Sequence, residues 1–262
     1  MGLTGGTGGA GVAETDPIER IADLRNTCDL TVFIPCLNEE RHVIPTVETV
    51  LKAVQRTGHT CEILVFDDGS QDGTGERVEE YRRRHPEAPL RLIRREHTMG
   101  LGRNYVDGSF VGCGTYYKQV GGDDSEPLET IVAVISRLGE ADMILPYLRA
   151  DSRDFFRRAL SRVFVWIINI ASGYRIRYYN GTAAHRRYNV MRWHSDTYGF
   201  AFQAEIITRL LNAGASYIEV PVDNVEQAGR SSRAFRPLNL LSVVHSVLQI
   251  LLRRLRIRFF GV

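Results

Sequence analysis

The feature that most constrains the fold is a repeated coupling of an apolar run to a polar cluster. Residues 30–35 (LTVFIP), 62–68 (EILVFDD) and 115–122 (TYYKQVGG) are β-type stretches, and each runs straight into acidic or amide residues: CLNEE, DDGS and GGDDS. A continuous apolar run is what a strand buried on both faces needs. Helical patterns lie between the runs, at 39–56, 71–85 and a glycine-rich 100–113, and 90–95 (LRLIRR) reads as one more strand. A helix over 127–138 follows, with Pro127 near its first turn, where its missing amide costs nothing; 141–147 (ADMILPY) is a further strand. Such alternation predicts an α/β fold with a mostly parallel central sheet flanked by helices. Ligands of such sheets sit at the carboxyl ends of the strands, where the three polar clusters fall.

The second half is less regular. Residues 155–172 read as a long helix, arginine-rich in its first half and apolar in its second; 175–187 read as strand and loop. A helix over 202–214 stops at Gly214, and 216–222 (SYIEVPV) is a strand. In the last segment Asn239, Ser242, His245, Ser246, Gln249 and Arg253 recur every three or four residues, so they share one side of a helix whose remainder is leucine, valine and isoleucine. Four arginines (253, 254, 256 and 258) close it. The expected organisation is a flexible tail over 1–16, one α/β domain over 17–235 and an amphipathic C-terminal helix over 236–262, which suits 262 residues.

A net charge of only +2 argues against nucleic acid as a partner. The cysteines Cys28, Cys36, Cys61 and Cys113 match no zinc spacing and read as buried, reduced thiols. GTGGAG at 6–11 satisfies G-x-G-x-x-G literally, but five residues cannot supply the strand a dinucleotide fingerprint needs. No basic or apolar leader is visible, so the expected location is cytoplasmic.

Each polar cluster has a plain structural alternative. CLNEE can be a helix start whose acids favour the dipole, and DDGS a capped turn. In GGDDS, Asp123 and Asp124 can hold a divalent cation on a diphosphate, which needs only one or two protein carboxylates, or can simply cap a helix. The glycines would let a phosphate approach the backbone.

In this order and spacing the three motifs resemble the glycosyltransferase family 2 enzymes with the GT-A fold, above all the polyprenyl-phosphate (dolichol-phosphate) mannosyl- and glucosyltransferases. The likeness runs from about Leu30 to Phe235 and includes GLGRNYVDG, GFAFQAE, EVPV and GRSS. It implies an inverting hexosyltransferase that takes its sugar from GDP-mannose or UDP-glucose. Donor contacts would come from Pro35, Leu37, Asn38, Glu39, Asp67, Asp68, Gly69, Gly122 and Asp123. Mg²⁺ or Mn²⁺ would sit on Asp123, with Asp124 as second ligand or helix cap. The acceptor would meet Arg149, Gln203, Arg230 and Ser231, and Asp123, Arg149 and Glu205 would carry the catalytic roles. Two departures stand out. Counting back from Pro127, the first position of the family's Asp-x-Asp falls on Gly121 and the second on Asp123. Glu226 stands near where the family has an arginine, with Arg230 or Arg233 as replacement charge.

A polyprenyl-phosphate acceptor is already anionic and needs no base; Arg175, Arg177, Arg186 and Arg187 are further candidates to hold it. A soluble or glycan hydroxyl would need one, and Glu205 or Asp196 would serve. A non-catalytic nucleotide-sugar-binding protein is the alternative of another class. The C-terminal helix reads either as interfacial, holding the protein at the inner face of a membrane, or as a packing helix or homodimer contact.

Overall fold

The apolar runs become the centre of one seven-stranded sheet. The structure is a computed structural model and describes residues 26–149, 155–192, 201–223 and 237–260. The strands are β1 (Cys28–Cys36), β2 (Cys61–Asp67), β3 (Leu90–Arg94), β4 (Gly114–Gln119), β5 (Met143–Leu148), β6 (Ala184–Arg186) and β7 (Tyr217–Val222), in the order β3-β2-β1-β4-β6-β5-β7. All neighbours pair in parallel except the short β6, which runs antiparallel to both β4 and β5. The carboxyl ends of β1, β2, β4 and β5 therefore share one edge of the sheet.

Residue alternation divides the core between the faces. Leu30, Val32 and Ile34 of β1 pack with helices α1 (Val43–Thr57), α2 (Thr74–Arg84) and α4 (Leu128–Ile135). Phe33 turns the other way, toward α3 (Leu101–Val111), α5 (Phe155–Ser172), α6 (Arg187–Arg192) and α7 (Phe202–Asn212). A last helix, α8 (Pro237–Phe260), lies against α5 and α7, with Ile250 buried in this second cluster.

Three expectations shift. The helix anticipated from residue 39 begins at Val43, because Asn38 adopts a left-handed φ of 60° and the chain turns before the helix. Glu39 and Glu40 thus lie outside the helix, and no acid occupies its first turn. Only Cys36 of the cysteines is fully buried; all four are free, and Cys28 and Cys113 stand 3.8 Å apart at the amino end of β1. Finally, α6 follows β6 directly and had no sequence signal, since arginines flank it on both sides. The tail, the stretch before Asn26, and Asp196, Glu226, Arg230, Ser231 and Arg233 lie outside the described residues.

Candidate active site

The first two polar clusters are woven into one another. The Asn38 amide donates to Ser70 Oγ (2.9 Å) and the Gln71 amide to Asn38 Oδ1 (2.8 Å). The Glu39 amide donates to Thr74 Oγ1 (2.9 Å) and the Glu40 amide to Asp72 Oδ2 (3.1 Å). Loop backbone that would otherwise need water is thereby satisfied, and the two strand ends are tied to each other.

Asp67 and Asp68 are buried. Asp67 accepts from the Ser70 amide (3.0 Å) and pairs with Arg94 (3.3 Å). Asp68 accepts the amides of Met99 (2.8 Å) and Gly100 (3.0 Å), so it caps the approach to α3. The capped-turn reading of DDGS therefore holds for the loop architecture, and any ligand would use lone pairs left on these oxygens. Gly69, at φ 79°, lies against the backbone of His97 and Thr98.

The third cluster is pressed onto the first. The Gly122 amide meets the Pro35 carbonyl at 3.3 Å, and a Cβ on Gly122 would come within 2.5 Å of Cys36 Sγ. Only glycine permits that approach. Next to it, the Asp123 carboxylate folds back over Gly121: a Cβ there would lie 2.7 Å from Asp123 Oδ1. Asp123 thus occupies the space a side chain at 121 would have used. Ser125 Oγ donates to the same oxygen (2.6 Å). Asp124 holds a φ of 53°, its amide donating to Thr46 Oγ1 of α1 (3.0 Å).

The Cys36 thiol reports the field at this junction. Burial first, then the negative charges of Glu39, Asp67, Asp123 and Asp72, push it well above its ordinary value. Among the described residues no three His, Cys, Asp or Glu side chains are grouped to hold a metal alone. A cation whose remaining ligands came from a bound diphosphate would need only one or two protein carboxylates, the number that Asp123 and Asp124 could offer.

Farther along the same edge, past the ends of β4, β6 and β5, lies a cleft of about 510 Å³. Arg149, just beyond β5, lines it with Arg158, Ser161 and Arg162 of α5 and Arg177, which stacks over the Tyr147 ring at 4.4 Å. Strand β6 alone separates β4 from β5, so the acidic junction and this cleft are about two strand spacings apart, roughly 10 Å.

The other anticipated residues divide. Gln203 is turned inward, its Oε1 3.3 Å from Nε2 of buried His185, and not onto the arginine cleft. Burial pushes the His185 imidazole down to about 4. Glu205 is fully buried, 2.7 Å from Arg209 and 3.6 Å from Arg253 of α8. Arg186 pairs with Asp142 (3.0 Å), and Arg187 is buried on the carbonyls of Gly114 (2.7 Å) and Ser109 (3.1 Å). Neither belongs to the cleft.

Two features escaped sequence reasoning. The partners of Arg149 sit on the first half of α5, whose arginine-rich character was the available signal. The other is Lys118, a fully buried lysine inside β4, whose charge within an apolar run was itself the clue.

The α8 polar stripe does not face solvent as a whole: His245 is exposed, but other members turn to the domain. Ser246 is buried and Arg253 half-buried against the domain, while Val244, Leu248, Leu251, Leu252 and Leu255 face outward. On α5, Val163, Trp166 (65% exposed) and Ile170 do the same beside the cleft. No described helix is long and apolar enough to cross a membrane.

Known proteins resemble this chain in sequence and in fold. The model of glycosyl transferase family 2 matches residues 31–192. Polyprenol monophosphomannose synthase of Mycolicibacterium smegmatis is 28% identical over 79% of this chain and 81% of its own length. Dodecaprenyl-phosphate galacturonate synthase of Rhizobium johnstonii is 27% identical over 63% of this chain and 49% of its own. Among solved structures, glucosyl-3-phosphoglycerate synthase from Mycobacterium tuberculosis, in complex with Mg²⁺ and UDP, superposes with a TM-score of 0.60 at 19% identity, covering 90% of this chain and 82% of that one. That likeness establishes the GT-A fold.

Proposed function

The chain belongs to glycosyl transferase family 2 and is a glycosyltransferase; from that premise we propose that it moves a hexose from a nucleotide-diphosphate sugar, of the GDP-mannose or UDP-glucose type, to a polyprenyl phosphate. The observation that carries the reading is the pairing, on one sheet edge, of a carboxylate junction with an arginine cleft flanked by outward-facing apolar helix surface.

The acidic junction would receive the donor. Pro35, Leu37, Asn38 and Glu39 on one side and Asp67, Asp68 and Gly69 on the other would border the nucleoside, and Gly122 would let the diphosphate approach the backbone. Asp123, with Asp124, would hold Mg²⁺ or Mn²⁺, which neutralises charge on the departing diphosphate when bound. The Mg²⁺ and UDP in the glucosyl-3-phosphoglycerate synthase complex support the cation and leave the base of this chain's donor open.

The cleft would receive the acceptor phosphate. Guanidinium groups match phosphate oxygens in pairs, and Arg149, Arg158 and Arg162 converge from two elements. A phosphate oxygen held there is already a nucleophile and needs no base. It would attack the anomeric carbon from the side opposite the diphosphate, giving inversion in a single displacement. Glu205 then has no proton to remove; paired with Arg209 and Arg253, it serves as an anchor for α8. The polyprenyl-phosphate relatives support this acceptor.

The apolar stripes of α5 and α8, with the exposed Arg256 and Arg258 at the helix end, would rest on an anionic membrane surface and bring the cleft to the lipid phosphate. The test is a screen of UDP- and GDP-sugars with Mn²⁺, with and without polyprenyl phosphate, reading released nucleoside diphosphate and the labelled lipid. A labelled glycolipid formed only when lipid and metal are both present is the expected result. Transfer to a hydroxyl acceptor without lipid, or donor binding without any transfer, would overturn it.

A further inference from the structure

Directly beneath the carboxylate junction lies a charge that neither donor nor acceptor contact uses. Lys118 Nζ, fully buried in β4, donates to Glu126 Oε1 (2.7 Å), the Thr182 carbonyl (2.8 Å), Thr182 Oγ1 (3.1 Å) and the Gln119 carbonyl (3.2 Å). Burial pushes the ammonium down, and Glu126 opposes that by charge and hydrogen bond. Glu126 is only 8% exposed, and its second oxygen, Oε2, is buried with no partner among the described residues. Lys118 is therefore the cation that makes this carboxylate tolerable.

The pair also closes a chain segment. Glu126 lies eight residues after Lys118, and the loop between them holds Gly121, Gly122, Asp123 and Asp124. Thr46 of α1 holds the loop from one side through the Asp124 amide, and the Lys118 pair holds it from the other, with Thr182 of the segment before β6 as a third point. Asp123, folded over Gly121, stands between these fastenings.

We propose that Lys118 and Glu126 are positioning residues for the cation on Asp123, the buried pair fixing the loop that presents Asp123 and Asp124. This rests on the metal reading above. It is tested by electron paramagnetic resonance of bound Mn²⁺, in the presence of UDP and of GDP, on wild type, Asp123→Asn, Lys118→Met, Glu126→Gln and the double variant Lys118→Met/Glu126→Gln. Thermal unfolding and the acceptor KM are measured on the same samples.

The expected result is nucleotide-dependent Mn²⁺ binding by wild type, lost in Asp123→Asn and weakened about fivefold or more in Glu126→Gln. The double variant, which removes both charges and so has the best prospect of folding, should be no weaker than the worse single variant. The acceptor KM should stay within about twofold, whereas general loosening would move it too. Binding by the folded double variant within about twofold of wild type would overturn the proposal, as would equal losses of Mn²⁺ and acceptor affinity. Absence of nucleotide-dependent Mn²⁺ binding by wild type would instead overturn the metal reading on which it stands.

Discussion

The carboxylate junction and the arginine cleft share a sheet edge but are built on opposite principles. At the junction, loops are held by one another: the amides of Asn38, Glu39 and Glu40 bond to side chains of the second cluster, and Asp67 and Asp68 are spent on the loops around them. In the cleft the functional groups are long side chains at the surface, with Arg149 and Arg162 exposed and Arg177 only loosely paired with Glu219 at 3.5 Å. The first arrangement settles its geometry during folding, so the nucleotide proposed to bind there would not need to organise it. The second keeps its cations adaptable and places apolar helix faces next to them, as suits a ligand whose head is charged and whose body is lipid. The two also differ in place along the edge: the junction is centred on β1, which has parallel strands on both sides, whereas the cleft lies beyond the short β6, antiparallel to β4 and β5.

Asp123→Asn probes the rigid end most severely. Sugar transfer should fall a hundred- to a thousandfold, about 3–4 kcal/mol of transition-state stabilisation, with acceptor KM little changed. A loss under tenfold in initial rates would remove Asp123 from the metal role. Glu205→Gln attacks the cleft side through its support. It leaves Arg209 and Arg253 facing a neutral amide, and about 3 kcal/mol of stability should be lost, roughly 6–12 °C in Tm. Unchanged calorimetric unfolding would show that α8 is not anchored there.

The seam between the regions has its own signature. His185 on β6 is held neutral by burial, its value about 4 in the fold against 6.5 ordinarily. Between those values the unfolded chain binds more protons, so stability rises with pH and is lost as pH falls from 6.5 toward 4. The loss is on the order of 3 kcal/mol, and His185→Asn should flatten that slope in Tm measured against pH. The smallest effect is expected at the outward stripe. Leu252→Asp should weaken binding to vesicles containing anionic lipid by about three- to tenfold, read by sedimentation, without altering unfolding. Equal binding by both proteins would separate the stripe from any membrane role.

The two regions were also unequally legible in the sequence. The junction could be read because strand, turn and acid are local in the chain: LTVFIP with CLNEE, EILVFDD with GS. What the sequence did not disclose was how these clusters bond to one another, since the bonds from the Glu39 amide to Thr74 Oγ1 and from the Gly100 amide to the Asp68 carboxylate are long-range. The same limit hid the start of α1, which depends on Asn38 leaving the helical region to meet Ser70. The cleft was legible only as Arg149 and an arginine-rich helix, because its members come from β5, α5 and the segment at Arg177. The direction of the α8 stripe was invisible too: periodicity marks two faces, and only packing on α5 and α7 decides which one looks outward.

The proposed function has donor and acceptor handled by separate halves of one edge. It is tested most directly by the Arg149→Ala/Arg162→Ala variant, measuring Mn²⁺-dependent UDP and GDP affinity by calorimetry and the polyprenyl-phosphate KM in the same preparation. The account predicts nucleotide affinity within about twofold of wild type and an acceptor KM raised at least about tenfold, 1.4 kcal/mol or more. Nucleotide affinity falling in step with acceptor affinity, or an acceptor KM that does not move, would contradict it.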